Sequence, residues 1–495
     1  MTVQVRRVAA VVLALFAALF VNLNVVQVLR AGEYADNPRN VTRQLQREYG
    51  IRRGSVLAGD GTTELAGVTD TGGSLRFART YPQGELYGHV TGYYSFLFGR
   101  SELEQSQNDV LTGSANVVGS LQDVLAGREQ EGDSVVSTVQ PSVQSAARDA
   151  LGQQAGAVVA LDPRDGSLLS LWSAPGYDPG ELSAVGEGAG ESVRAAWDRL
   201  NADEGRPLEN RVLRGYYAPG STFKVVTAAA ALTAGVPPDR TFPDPREQEL
   251  PQTSATIGNF GDGLCNGGAP LTLAEALAVS CNTTFAALGV ELGADALTAQ
   301  AQAFGFGTDL GGALPPVQES FVPPPAELDA PATAQSAIGQ RDVRVTPLQM
   351  AAVAAAVGND GVVMAPRLVD RIEDFGGAVV DEPGAEELGR ALEPAAAEAL
   401  TEMMVGVVER GSGVGAALPG VRVAGKTGTA ESGDPGGAPT VWFIGFAPAD
   451  DPTVAVAVVL EDGGDVGTEA TGGALAAPVA RAVLAAALAL PPTLE

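Results

Sequence analysis

Pro219-Gly220-Ser221-Thr222-Phe223-Lys224 opens an Ala-rich run that stops at Gly235, with Pro237 behind it. Pro-Gly before the run and Gly after it are helix start and stop signals, so a helix is predicted from Ser221 to Ala234. A serine and a lysine three positions apart share a face of that helix. The serine falls in the first turn, where unpaired N–H groups and the helix dipole favour developing negative charge. A neutral Lys224 could then take the Ser221 proton, as histidine does elsewhere. Taken alone, the tetrad is equally compatible with a surface lysine on an amphipathic helix.

Composition sharpens the reading. Lys and Arg total 31, and the only lysines are Lys224 and Lys426. Arginine serves wherever a generic positive charge suffices, but it cannot give up its proton in a protein, whereas lysine can when its surroundings lower its pKa. Both lysines are therefore candidates for chemistry. Lys426-Thr427-Gly428-Thr429 lies on a strand opened by Val421 and Val423. A glycine on a strand admits close approach of another group, and a lysine with two hydroxyls beside that gap makes a carboxylate-binding edge. The plainer alternative is an exposed strand end with a solvated lysine. Between the lysines stands Ser280-Cys281-Asn282, at the end of a helix predicted over Leu271 to Val279. By itself it reads as a helix C-cap by Asn282. In the order S-x-x-K, S-x-N, K-T-G, the three form the set associated with penicillin-binding proteins and β-lactamases.

Around these motifs, Ala157 to Leu161, a turn at Asp162 to Gly166, and Ser167 to Trp172 read as a β-hairpin. Val421 to Gly425, Val441 to Phe446 and Thr453 to Leu460 read as three later strands. Pro347 to Val357 and Ala474 to Leu490 read as helices. Strands first, helices in the middle and strands last predict an α+β domain, an antiparallel sheet with a helical block packed on it. Ala31 to Gln153 is polar and weakly periodic, with a strand at Val135 to Pro141 and a helix at Pro141 to Leu151. Ahead of it, the mostly apolar Val8 to Leu29 is long enough to cross a bilayer as a helix. Arg6 and Arg7 precede this segment and keep the N-terminus inside. No small-x-small cleavage site follows at Arg30-Ala31-Gly32, so an uncleaved anchor is expected, with the bulk of the chain exported. Export permits a disulfide, and Cys265 and Cys281 are expected to be bridged, although spacing alone does not bring their Cα atoms together.

A chain of 495 residues suggests two or three domains. Its net charge of −28 argues against nucleic-acid binding. The single histidine, His89, leaves almost no room for a His-ligated metal site and confines a Ser-His-Asp arrangement to that residue. No metal or cofactor is expected.

The match extends beyond the motifs. Arg53-Gly54-Ser55-Val56, Leu103-Glu104 through Leu111-Thr112-Gly113, Gly156 to Pro179, Ile338-Gly339-Gln340, Val345-Thr346-Pro347-Leu348-Gln349 and Ala424 to Glu431 together resemble the class B penicillin-binding proteins. The branch of that family found in high-GC Gram-positive bacteria is the most similar. Val56-Leu57-Ala58-Gly59 departs from the family's Asp-Arg-Asn box. The resemblance implies a tail at 1–7, an anchor at 8–29, a mostly β non-catalytic pedestal or dimerisation-like domain at 30–153, and a transpeptidase domain at 154–491. It implies a membrane-bound, single-pass peptidoglycan D,D-transpeptidase of cell-wall synthesis, division and cell shape. Its partners would be stem peptides, β-lactams, and division or elongation proteins. Carried over by position, Ser221 attacks the D-Ala-D-Ala carbonyl, Lys224 is its base, and Ser280 relays the proton. Asn282 holds the substrate's peptide, while Lys426, Thr427, Gly428 and Thr429 bind its terminal carboxylate. The backbone N–H groups of Ser221 and Thr429 form the oxyanion hole. A β-lactam-hydrolysing or -sensing protein would use the same motifs. A scaffold with an incidental site and a Ser-His esterase built on His89 are the readings from other classes.

Overall fold

The computed structural model describes residues 3–30, 41–114, 131–311, 314–431 and 437–490. Its centre is a five-stranded antiparallel sheet in the order Ala424–Ala430, Thr440–Ala447, Val454–Leu460, Gly156–Leu161, Leu168–Ala174. Every residue of Gly156–Leu161 and Val454–Leu460 is buried, because helices cover both faces of the sheet. On one face Val159, Ala457 and Ile444 pack with the helix Pro347–Gly358; on the other Val158, Val456 and Phe443 pack with Pro141–Leu151 and Ala476–Ala487. Two covered faces explain why the strands read as unbroken apolar runs rather than alternating ones. The α+β expectation holds.

The strand that carries Lys426 begins later than its valines suggest. It runs Ala424–Ala430, so the motif occupies the strand itself, while Val421 belongs to a turn with Leu418. Being an edge strand, it leaves one side of its backbone free to face the helical block. Three helices stand where no clear period was legible: Ala189–Ala202, Asn282–Ala303 and Pro394–Arg410. The second changes the reading of the middle motif, because Asn282 begins a helix instead of ending one.

Upstream lies a six-stranded sheet in the order Val379–Asp381, Val369–Glu373, Ser134–Ser137, Val56–Leu57, Glu64–Asp70, Phe77–Thr80. Two of these strands come from beyond the helical block, so the N-terminal sheet is completed by a hairpin inserted in the later part of the chain. Beside it Glu104 is fully buried and accepts from both Arg53 (2.6 Å) and Arg79 (2.5 Å). This joins the Arg53-Gly54 and Leu103-Glu104 segments. Burying one carboxylate costs several kcal/mol unless it is well paired, and two guanidiniums provide that. At the N-terminus Val3–Gln27 is a continuous apolar helical stretch, unburied, and long enough to cross a membrane.

Candidate active site

Ser221 lies in a tight 3-10 turn, Gly220–Phe223, which leads into the helix Lys224–Thr233. Three contacts press this turn against the sheet. Gly220 adopts φ +52, and a Cβ there would come 2.6 Å from the Thr429 carbonyl oxygen. Gly428 faces it from the strand, where a Cβ would come 2.9 Å from the Pro219 oxygen. Behind both, the Trp442 indole N–H donates to the Ala218 carbonyl at 3.1 Å. The glycine of the K-T-G motif is thus the gap that lets the serine turn approach the strand.

Lys224 and Lys426 are both fully buried, and neither has a salt-bridge partner among the described residues. Lys224 Nζ donates to the Ser280 carbonyl at 2.7 Å and to Asn282 Oδ1 at 2.6 Å, with Ser280 Oγ at 3.3 Å. Lys426 Nζ donates to Ser280 Oγ at 2.8 Å and to the Thr427 carbonyl at 2.9 Å. The Ser280 hydroxyl therefore bridges the two amines. Burial disfavours the charged form of each. It brings Lys426 down to about 7. Burial, reinforced by the Lys426 charge, holds Lys224 well below the usual lysine range. A neutral amine has two N–H bonds and one lone pair. The two short contacts of Lys224 use both N–H bonds and leave the lone pair free to accept a proton.

Ser280 reaches this position through backbone geometry that few residues adopt. The helix Leu273–Ala278 starts with a capping box between Thr272 and Glu275. It ends in a Schellman turn, with Cys281 N–H bonding to the Ala276 oxygen at 2.8 Å and Ser280 N–H to the Leu277 oxygen at 3.2 Å. Ser280 occupies the left-handed position of that turn, at φ +62, where glycine is usual. A non-glycine residue there costs of order 1 kcal/mol, and such strain concentrates at functional sites.

Cys281 is bonded to Cys265 with their Cα atoms 5.7 Å apart, the pairing expected from the sequence. The bridge ties the residue between Ser280 and Asn282 to a loop whose backbone is itself anchored: the Asp244 carboxylate accepts N–H bonds from Cys265, Asn266 and Gly268. Asn259 Oδ1 caps the next helix by accepting from the N–H groups of Asn282 (3.0 Å) and Thr283 (3.1 Å). The Asn282 amide in turn donates to the Gly258 carbonyl at 3.0 Å. Its oxygen is already held by Lys224, so the side chain orients the amine at least as much as it faces the cleft.

These residues open onto a cleft of ≈ 1080 Å³ whose lining includes Ser221, Ser280, Asn282, Thr427, Gly428 and Thr429. The three motifs thus meet in one place. Cys265 also lines the cleft, whereas Lys224 and Lys426 lie beneath it. The Thr427 hydroxyl is shared with Ser412 at 2.6 Å, a partner that sequence reading did not find. Asn259, Asp244 and Trp442 were missed as well; of these only Trp442, one of 3 tryptophans, carried any signal of its own. His89 takes no part. It is fully buried against Tyr177, with Nε2 at 2.9 Å from the Pro207 carbonyl, and desolvation lowers its pKa to about 3. A histidine serving Ser221 is thereby removed from consideration.

Residues 156–485 match the model of the penicillin binding protein transpeptidase domain, and residues 53–135 that of the penicillin binding protein A dimerisation domain. The chain is 44% identical to the peptidoglycan D,D-transpeptidase PbpA of Mycolicibacterium smegmatis, over 99% of both chains. It is 41% identical to the PbpA of Mycobacterium tuberculosis, over 99% of both. Among solved structures it is similar to penicillin-binding protein A from M. tuberculosis in its ceftriaxone acyl-enzyme complex. That match has a TM-score of 0.83 and 41% identity, and covers 90% of this chain and 100% of the other.

Proposed function

This chain belongs to the penicillin-binding protein transpeptidases, and from that premise we propose how its own residues carry out the reaction. It is a peptidoglycan D,D-transpeptidase. Lys224, as the neutral amine, takes the Ser221 proton while Ser221 Oγ attacks the penultimate D-Ala carbonyl of a D-Ala-D-Ala stem peptide. The oxyanion is received by the N–H groups of Ser221 and Thr429, a device worth a few kcal/mol per donor. Ser280, whose hydroxyl lies within reach of both amines, passes the proton to the departing D-Ala nitrogen as the C–N bond breaks. Lys426, Thr427 and Thr429 hold the terminal carboxylate beside the Gly428 gap. An amine from a second stem peptide then attacks the Ser221 ester, the new amide forms, and the proton returns to Ser221 Oγ. A β-lactam follows the first half of this course, but its leaving nitrogen stays tethered and the ester persists.

The observation that carries this assignment is the pair of buried lysines sharing the Ser280 hydroxyl, with no carboxylate among the described residues to hold their protons. In surroundings of that kind a lysine can act as a general base near neutral pH.

The apolar N-terminal helix anchors the chain in the cell membrane in a single pass, with residues 1–7 inside and the catalytic part outside. The 30–153 segment acts as a non-catalytic pedestal and 154–491 as the transpeptidase domain. Division or elongation proteins would engage the pedestal. Labelled penicillin tests the chemistry. Mass spectrometry of the treated full-length chain should place one adduct on the peptide containing Ser221, and Ser221→Ala should abolish labelling. An adduct on another residue refutes the assignment.

A further inference from the structure

Transpeptidation needs two substrates of opposite local charge. The donor presents a terminal carboxylate. The acceptor presents an amine that arrives in water as an ammonium. The floor of the cleft answers only the first, through Thr427 and Thr429 in its lining and Lys426 beneath them. Among the described residues lining the cleft, one charged side chain remains, and it is acidic: Glu431. It is exposed, and it stands immediately after the strand Ala424–Ala430.

The period of two along a strand relates Thr427, Thr429 and Glu431, all of which line the cleft. Two residues of extended chain advance about 6.6 Å. At a separation of that order, inside the screening length of about 10 Å at 0.1 M salt, a carboxylate attracts a cation beside the Ser221 ester.

We propose that Glu431 is the acceptor-selecting residue of this transpeptidase: its carboxylate draws the ammonium of the second stem peptide to the far end of the K-T-G strand. The inference rests on the function proposed above and adds the acceptor's docking point. The amine such a carboxylate selects is one that is positively charged before it reacts. Docked beside the ester, it loses one proton to water and becomes a nucleophile. Its nitrogen forms the amide bond as the bond from the carbonyl carbon to Ser221 Oγ breaks. A second proton passes from nitrogen, by way of the Lys224 amine, to Ser221 Oγ. Glu431 takes no proton in this sequence; it supplies attraction and position.

The test loads the detergent-solubilised full-length chain with an acyl group from a thioester donor. It then compares two nucleophiles, Nα-acetyl-lysinamide, which is cationic, and hydroxylamine, which is neutral near pH 7. The readout is the ratio of the two transfer rates within each variant. An exposed ion pair is worth about 0.2–1 kcal/mol, so Glu431→Gln should lower the ratio by a factor between about 1.4 and 5, and Glu431→Lys should lower it further. The wild-type preference should shrink as salt is raised, because such attraction is screened beyond about 10 Å at 0.1 M. An unchanged ratio in both variants, or equal losses for both nucleophiles, overturns the proposal. So does a wild-type ratio indifferent to salt. Failure of the wild-type chain to form the Ser221 ester would instead count against the transpeptidase chemistry itself.

Discussion

Replacing Asn282 by Asp alters almost no volume but sets a carboxylate where an amide oxygen now receives the Lys224 proton at 2.6 Å. In the native protein Lys224 is drawn toward neutrality by burial and by Lys426. A new anion in contact reverses that balance. With an effective dielectric of about 20, a charge pair at 2.6 Å is worth about 6 kcal/mol by Coulomb's law. Desolvating the new carboxylate takes back a share of this. If half survives, about 3 kcal/mol remains, which is about two pKa units on Lys224. The new anion holds the Lys224 proton more tightly, and a protonated amine cannot accept another from Ser221.

Acylation of Asn282→Asp by labelled penicillin should therefore fall, by up to about 100-fold on the acid side of its pH profile. The sign of the pH effect follows from the same logic. Acylation requires the neutral lysine, so the rate rises as pH passes through the Lys224 pKa; raising that pKa moves the rise to more alkaline pH. The variant should recover toward the wild-type rate as pH increases. Asn282→Ala, which removes the contact without adding a charge, should lose rate with no such alkaline recovery. The assay is the second-order acylation rate at several pH values for the three proteins. A profile for Asn282→Asp that parallels wild type, with no alkaline shift, refutes Lys224 as the base.

The two lysines should separate under conservative exchange. Lys224→Arg should abolish penicillin acylation about as fully as Ser221→Ala, since arginine cannot deprotonate, while Lys426→Arg should retain a part of it. Lys426 also bears on stability. Its pKa falls from 10.5 to about 7 on folding, so between those values the unfolded chain binds a proton that the folded chain does not, and stability rises with pH across that window. The penalty, about 5 kcal/mol at most, is complete below pH 7 and absent above 10.5. Thermal unfolding of Lys426→Met should accordingly show a flatter dependence between pH 7 and 10 than wild type; parallel curves would count against a neutral Lys426. Gly428→Ala would set a Cβ at 2.9 Å from the Pro219 oxygen and 3.0 Å from the Trp442 Cβ. It should cost more than tenfold in acylation rate by pushing the serine turn off the strand, with circular dichroism reporting whether the fold persists.

The motif residues were legible in advance because each carries its chemistry in its own type. A lysine in a chain that otherwise uses arginine, or a glycine between two threonines on a strand, is informative with no partner in view. The residues that make those groups work are not of that kind. Tyr217, edge-on to the Trp442 ring behind the serine turn, donates to Glu461 at 2.7 Å, and Arg211 donates to the same carboxylate at 3.0 Å, across sequence separations of 244 and 250 residues. Asp244 and Asn259 hold the loop and the helix that flank the disulfide through contacts 21 to 24 positions away. Nothing in an isolated Asp or Asn distinguishes a brace from a solvated surface group until the partner's backbone is in place. The middle motif shows the limit most clearly. Ser280-Cys281-Asn282 reads as a helix end on local signals, and a helix does end there. Yet the left-handed turn at Ser280 and the cap from Asn259 start a second helix at once, so the chain reverses within three residues. That reversal aims the Ser280 carbonyl and the Asn282 amide oxygen at one amine, which a single continuous helix could not do. The catalytic arrangement therefore depends on a break in secondary structure whose cause, a capping side chain on another loop, lies outside the motif.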